Sequence, residues 1–253
     1  MNWQGLLELT IMERKGALVI AFLITGLIVG NYLFFTDAGV VRERVEISRV
    51  LDGDTVDLVD GRRIRLLNIN TPEKGLAYSD LAKEFLSEFT NVELETAGLD
   101  RYERTLGKIY SGEKYLNLEI VRSGMAHTYL VADSENSLFA RAERDARENE
   151  GGIWKMSSNA LCISAEINKY DEYVEITDSC DVDFTGWILK DESTKSYKFS
   201  EDVGKSFILH SGKGSDTATD IYWGKEQHIW NDDHDEIFIR DADGFLAYYD
   251  SYG

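Results

Sequence analysis

Residues 50–73 read VLDGDTVDLVDGRRIRLLNINTPE. Asp52-Gly53-Asp54 sets two acids around a glycine, and Asp60-Gly61 is a hairpin turn signal between two strand-like runs. Arg62, Arg63 and Arg65 occupy the second run. Pro72, the only proline in the chain, fixes the backbone immediately before Glu73. Taken singly, each part has a plain structural explanation: Asp-Gly-Asp makes a turn, and an isolated strand arginine lies on a solvated face.

Outward from this stretch, VEISRVL, DTVDLVD and RRIRLLNI have strand character, and LAYSDLAKEFLSEF (76–89) places Leu76, Leu81, Phe85 and Phe89 mainly on one helical face. VELETAG and LGKIYSGEKY return to strand pattern, with Ser111-Gly112 as a turn. YLNLEIVRSGMA predicts a second helix ended by Gly124, and NSLFARAERDARENEGG a third ended by Gly151-Gly152. Three strands, a helix, two strands and two helices suit a small five-stranded barrel with helices packed on it. From residue 163 the texture changes to about seven short strands with frequent turns, which predicts an antiparallel sandwich without helices. The expected organisation is a tail and membrane segment (1–36), a linker (37–42), an α+β domain (43–157) and an all-β domain (158–253).

Charge changes along the same boundary. The chain of 253 residues has a formal net charge of -19; residues 42–160 carry 17 basic against 22 acidic groups, and residues 161–253 carry 8 against 21. An acidic second half repels phosphate unless cations bridge it, or reflects a salty habitat in which self-repulsion is screened. Residues 17–35, ALVIAFLITGLIVGNYLFF, contain no charged side chain. Nineteen residues at about 1.5 Å rise nearly span a hydrocarbon core of about 30 Å, and the run exceeds the apolar part of a usual signal peptide. It is therefore expected to be a single transmembrane helix holding the rest of the chain outside; secretion after cleavage is the alternative. Arg14 and Lys15 favour a cytoplasmic N-terminus, whereas Arg42, Arg44 and Arg49 weigh against it. Cys162 and Cys180, the only cysteines, cannot build a tetrahedral zinc site alone. They are expected to pair if the domain is exported, and to stay as thiols if it is cytosolic.

With Arg104 from DRYERTLG (100–107), the opening stretch assembles the groups that phosphodiester hydrolysis needs. There are oxygen ligands for a hard cation, a carboxylate to take a proton from water, and two guanidiniums to neutralise phosphate. In order and spacing, DGDTV, RLLNINTPE, DRYERTLGKIY, YLNLEIVRSGMA and Trp154 resemble the staphylococcal-nuclease-like thermonucleases over roughly residues 43–157. The resemblance implies an OB-fold barrel with three helices and a calcium-dependent site that cleaves DNA and RNA with little sequence preference. Residue by residue, it implies Asp54 and the Thr71 carbonyl as metal ligands and Asp52 in an outer shell. It also implies that Arg65 and Arg104 contact the reacting phosphate, that Glu73 is the general base, and that Tyr102 packs on a nucleotide. Asn70 stands where the family usually has a second carboxylate ligand, so weaker metal binding is expected, or a barrel that binds nucleic acid without cutting it.

The second half, through EYVEITD, TGWILKDE, TDIYWG and IWNDDHDEIFIRDADG, resembles a lamin-tail domain, which implies an immunoglobulin-like sandwich with an accessory binding or spacing role. Trp187, Trp223 and Trp230 are expected as core or rim aromatics. Residues 231–236, NDDHDE, lack the spacing of an EF-hand and are expected to form a solvated turn.

Overall fold

A computed structural model describes Thr25 and residues 41–193, 195–201 and 203–253. The expected membrane segment, 17–35, lies outside the described residues apart from Thr25. Among the described residues no helix is long and apolar enough to cross a membrane.

The first lobe runs β1 (Glu43–Val50), β2 (Thr55–Leu58), β3 (Arg63–Leu66), β4 (Ile69–Asn70), α1 (Ser79–Ser87), β5 (Asn91–Leu99), β6 (Thr105–Ser111), β7 (Lys114–Tyr115), α2 (Leu116–Arg122), β8 (His127–Thr128) and α3 (Asp133–Glu148), followed by a 3-10 turn at Gly152–Trp154. The strand order β3-β2-β1-β5-β6-β7 closes on itself because β3 also pairs, in parallel, with β6. Closure removes the sheet edges and encloses Val56, Ile64, Leu66, Leu94 and Ile109, over which α2 and α3 lay Leu116, Ile120 and Phe139. The five principal strands and three helices are those expected from the sequence. Helix α1 is shorter than expected, because Tyr78 takes a left-handed backbone (φ 66°) just before it. It buries Ala82 and Leu86, with Phe85 and Phe89 packed beside the core; Leu76 falls in the preceding turn, and Leu81 is only half-buried. Helix α3 begins three residues before the expected 136, at Asp133, where Asp133 and Glu135 place acids in its first turn.

The second lobe contains β9 (Ile163–Asn168), β10 (Tyr173–Asp178), β11 (Ile188–Lys190), β12 (Ser196–Lys198), β13 (Ser206–His210), β14 (Asp220–Tyr222), β15 (Asp235–Arg240) and β16 (Leu246–Tyr252). Two four-stranded sheets, β14-β13-β10-β9 and β12-β11-β15-β16, enclose Val174, Ile176, Phe184, Trp187, Phe207, Leu209, Trp230 and Ile237. The strand that the sequence does not announce is β14, three residues long and paired in parallel with β13. Its hydrogen bonds come from a neighbour rather than from its own pattern. Cys162 and Cys180 are joined by a disulfide with their Cα atoms 5.4 Å apart, tying the segment before β9 to the segment after β10.

The lobes share a core. Along β15, Ile237 and Ile239 point into the sandwich, so the period of two turns Glu236 and Phe238 outward, yet both are buried. They are covered by the barrel: Phe238 packs with Trp154, Ile153 and Ala146, and its ring centroid is 4.1 Å from that of His127. Lys190 and Tyr249 flank Phe238 in register on β11 and β16. The Arg240 guanidinium donates to the Ile153 carbonyl at 2.6 Å. Each large apolar side chain buried here contributes about 1.5–3 kcal/mol.

Candidate active site

The turn between β1 and β2 positions the acids. Asp52 Oδ1 accepts the Asp54 N–H at 3.1 Å, which turns the Asp54 side chain toward the β4 segment. The tight approach depends on Gly53, where a Cβ would meet Ala82 Cβ at 2.6 Å and Thr71 Cγ2 at 2.7 Å. Asp54 is buried. Its Oδ2 accepts both the N–H and the hydroxyl of Thr71 at 3.0 Å, and its Oδ1 accepts the Thr55 hydroxyl at 3.1 Å.

Arg65 lies opposite Thr55 in the β2–β3 register, which brings its Nε to 3.3 Å from Asp54 Oδ1. The same guanidinium donates to the Leu66 and Ile69 carbonyls and to Asn70 Oδ1. Arg104 stands just before β6, the parallel neighbour of β3, so the two guanidiniums come from adjacent strands. Asp100 holds it: Oδ2 accepts Arg104 Nε at 2.7 Å, and Oδ1 accepts the N–H groups of Tyr102 and Arg104. The exposed Tyr102 ring lies 4.8 Å from the Arg101 guanidinium and 5.5 Å from that of Arg104. Glu73 sits at the rim beyond Pro72. Partial withdrawal from water raises its carboxyl above the ordinary value, and the charges of Asp54 and Asp52 add to the effect. Burial and the Asp54 charge likewise raise Asp52.

Asp52, Asp54, Arg65, Asn70, Thr71, Glu73, Tyr102 and Arg104 all line one cleft of about 910 Å³. The donor set beside Arg65 is all oxygen, which suits a hard cation rather than a thiolate-seeking one. It is thin in carboxylates: among the described residues, three His, Cys, Asp or Glu ligand atoms come together only at Cys162, Asp178 and Cys180, where both sulfurs belong to the disulfide. Cleft residues that sequence reasoning did not single out include Asp100, Tyr129 and Leu130, and, from the sandwich, Glu192, Ser193, Lys195 and Gln227; Asn231, expected in a solvated turn, also lines the cleft. Asp100 was legible in principle, as an acid four residues before an arginine on a turn. No local signal marks the sandwich residues.

Residues 63–156 match the model of the staphylococcal nuclease homologues, and residues 155–253 match that of the lamin tail domain. A micrococcal nuclease of Shigella flexneri is 33% identical over 127 residues, 44% of this chain and 73% of that protein. The chain belongs to the staphylococcal nuclease family. A thermonuclease of Staphylococcus intermedius is 30% identical to this nuclease-family chain over 156 residues, 55% of this chain and 93% of the relative. An uncharacterised endonuclease of Haemophilus influenzae is 35% identical over 115 residues, 43% of this chain and 64% of that protein. The family match starts at Arg63, so Asp52 and Asp54 precede it; Asp54 is connected to the matched region by its contacts with Arg65 and Thr71.

Proposed function

We propose that the protein hydrolyses phosphodiester bonds in DNA and RNA with calcium bound beside Arg65. The observation that carries this reading is the convergence of three separated stretches, 52–54, 65–73 and 102–104, on one cleft with Asp54 and Arg65 in contact. Asp54, the Thr71 carbonyl and Asn70 Oδ1 would hold the cation, with Asp52 behind them. Bound there, calcium supplies positive charge at the phosphate and orients water. Arg65 and Arg104 bind the phosphate and stabilise the charge it develops. Glu73, raised by its surroundings, takes the proton from the attacking water. Tyr102 offers an exposed ring on which a base can stack. The cationic cluster is local, so a net acidic chain is no obstacle.

Residues 17–35 are proposed to anchor the protein in a membrane with both domains outside, a reading supported by their charge-free composition. Membrane fractionation, and external protease on intact cells, check it: protected domains reverse the topology.

A second reading, a nucleic-acid-binding protein without catalysis, draws on Asn70, whose amide replaces a carboxylate and turns toward the sandwich. Incubating the protein with single-stranded DNA, duplex DNA and RNA, with calcium or with a chelator, decides between them. Calcium-stimulated cleavage supports the nuclease; binding without cleavage supports the alternative.

A further inference from the structure

The loop that carries Glu73 is held at both ends by the sandwich. Segment 70–78 runs from the end of β4 to the residue before α1, and from Thr71 to Tyr78 it is irregular. We propose that the sandwich is a positioning element of the nuclease site: it grips this segment at Asn70 and at Ala77–Tyr78, and thereby sets where Glu73 stands at the cleft. The proposal rests on the nuclease reading above and deepens it.

At the first grip, Asn70 Nδ2 donates to the Ser193 carbonyl at 3.0 Å and to the Glu192 carbonyl at 3.3 Å. Those acceptors are themselves fixed. Asp191, 1% exposed, accepts the N–H and hydroxyl of Ser193, and the fully buried Asp235 accepts the Glu192 N–H. His127, the register partner of Asn70 on β8, packs its ring against Phe238 of the sandwich.

The second grip is the hairpin between β15 and β16. Gly244 there takes a left-handed backbone (φ 88°) and comes so near the loop that an added Cβ would stand 2.1 Å from Ala77 Cβ. The hairpin is well braced. Asp241 Oδ1 accepts the N–H groups of Asp243 and Phe245, and the Gly244 N–H donates to the Asp241 carbonyl. Arg240 Nη1 donates to the Gly244 carbonyl at 3.2 Å and to the Ile153 carbonyl of the barrel. Tyr78, next to Ala77, packs into the shared core with Trp154, Phe238 and Leu246.

Between Pro72 and Ala77 the chain has few bonds of its own. The Leu76 N–H donates to the Glu73 carbonyl at 2.9 Å, and Glu73, Lys74 and Gly75 are exposed. A loop of this kind takes its position from its anchors. A catalytic group displaced by about 1 Å can lose about 10²-fold in rate, so the anchors bear on the chemistry. Arg65 and Arg104 stand elsewhere, on β3 and just before β6, and a shift at the Ala77 end leaves them in place.

The test measures kcat and KM of the full chain on a labelled single-stranded oligodeoxynucleotide with calcium. Gly244→Ala is expected to displace the loop and lower kcat by about tenfold or more, with KM little changed. Ala77→Gly removes the methyl that the new side chain would strike, leaving the added Cβ 3.5 Å from the Ala77 Cα, an ordinary contact. The pair Gly244→Ala, Ala77→Gly is therefore expected to recover the wild-type kcat. A Gly244→Ala variant as fast as wild type overturns the proposal and leaves the nuclease reading standing. So does a loss that persists in the pair, because the glycine would then serve only its own turn. Should Gly244→Ala fail to fold, Ala77→Val brings the same collision from the exposed loop. A fall in its kcat supports the grip, and a wild-type rate overturns it. Cleavage by no form, wild type included, overturns the nuclease reading, and the grip with it.

Discussion

The side-chain amide of Asn70 donates to the Ser193 carbonyl at 3.0 Å, joining a barrel strand beside the proposed cation site to a loop of the sandwich. The departure from the family pattern thereby has a structural use: a carboxylate at position 70 would face two carbonyl oxygens with nothing to donate.

Asn70→Asp should have opposed effects. Loss of the two donated hydrogen bonds, with an acid set against the Glu192 and Ser193 carbonyls, is expected to cost about 1–3 kcal/mol of stability. The new anionic oxygen should tighten calcium binding. Calorimetric titration and melting curves with and without calcium check this, and a variant that melts like wild type in chelator rejects the latch.

In the proposed mechanism, replacing Arg65 or Arg104 removes charge stabilisation at the phosphate. Each alanine variant should lower the cleavage rate by about 10²–10³-fold, measured on single-stranded DNA. Arg104→Ala should melt near wild type, since Arg104 is partly exposed and tied chiefly to Asp100. Full activity in the double variant removes both residues from the site.

Gly53→Ala tests the packing that aims Asp54. The added methyl meets Ala82 and Thr71 below 3.0 Å, so the turn must move. Activity should fall by about tenfold or more, with a stability loss of about 1–3 kcal/mol from overpacking. An alanine variant as active as wild type would show that the turn tolerates displacement.

Glu236 makes stability pH-dependent. Burial, aided by the Glu143 charge, pushes it up to about 8 from an ordinary 4.5. Between those values the folded chain keeps a proton that the unfolded chain has released, so stability falls as pH rises through that window. The slope approaches about 1.4 kcal/mol per pH unit. Lys190 works in the opposite sense above pH 8: burial lowers it to about 8 from 10.5, so stability is regained as pH climbs between those values. Glu236→Gln still offers an acceptor to the Tyr249 hydroxyl, bonded at 3.0 Å, and should flatten the window between 4.5 and 8. Urea midpoints across pH give the comparison; an unchanged slope assigns the titration to another group.

The Cys162–Cys180 bridge closes a loop with a sequence separation of 18, for which chain entropy gives about 3 kcal/mol. Reduction, or Cys162→Ser with Cys180→Ser, should lower the sandwich's stability by that order. Peptide mapping of the protein purified without reductant should show the linked pair, and free thiols there would reject it.

Local chemistry made much of this protein legible in the sequence. Period-two runs, the Asp60-Gly61 and Ser111-Gly112 turns and the Gly124 helix stop delimit the barrel, because each acts through backbone preferences within a few residues. The acids, the arginines and Pro72-Glu73 were visible as candidates for one chemistry because that chemistry needs those side-chain types together, and their order added weight only through the resemblance to a known family. Tertiary structure alone decided what encloses them. Glu236 fell in a stretch, 231–236, expected to be a solvated turn; its last two residues instead open β15 and are buried, and Phe238 beyond them is covered by Trp154 and His127 of the barrel. Asn70 read as a weakened ligand; its second partner lies more than 120 residues away, at Ser193. β14 forms because β13 offers it hydrogen bonds, not because three residues have a pattern. Contacts between distant segments depend on how two folded surfaces complement one another, and no window of sequence carries that complementarity.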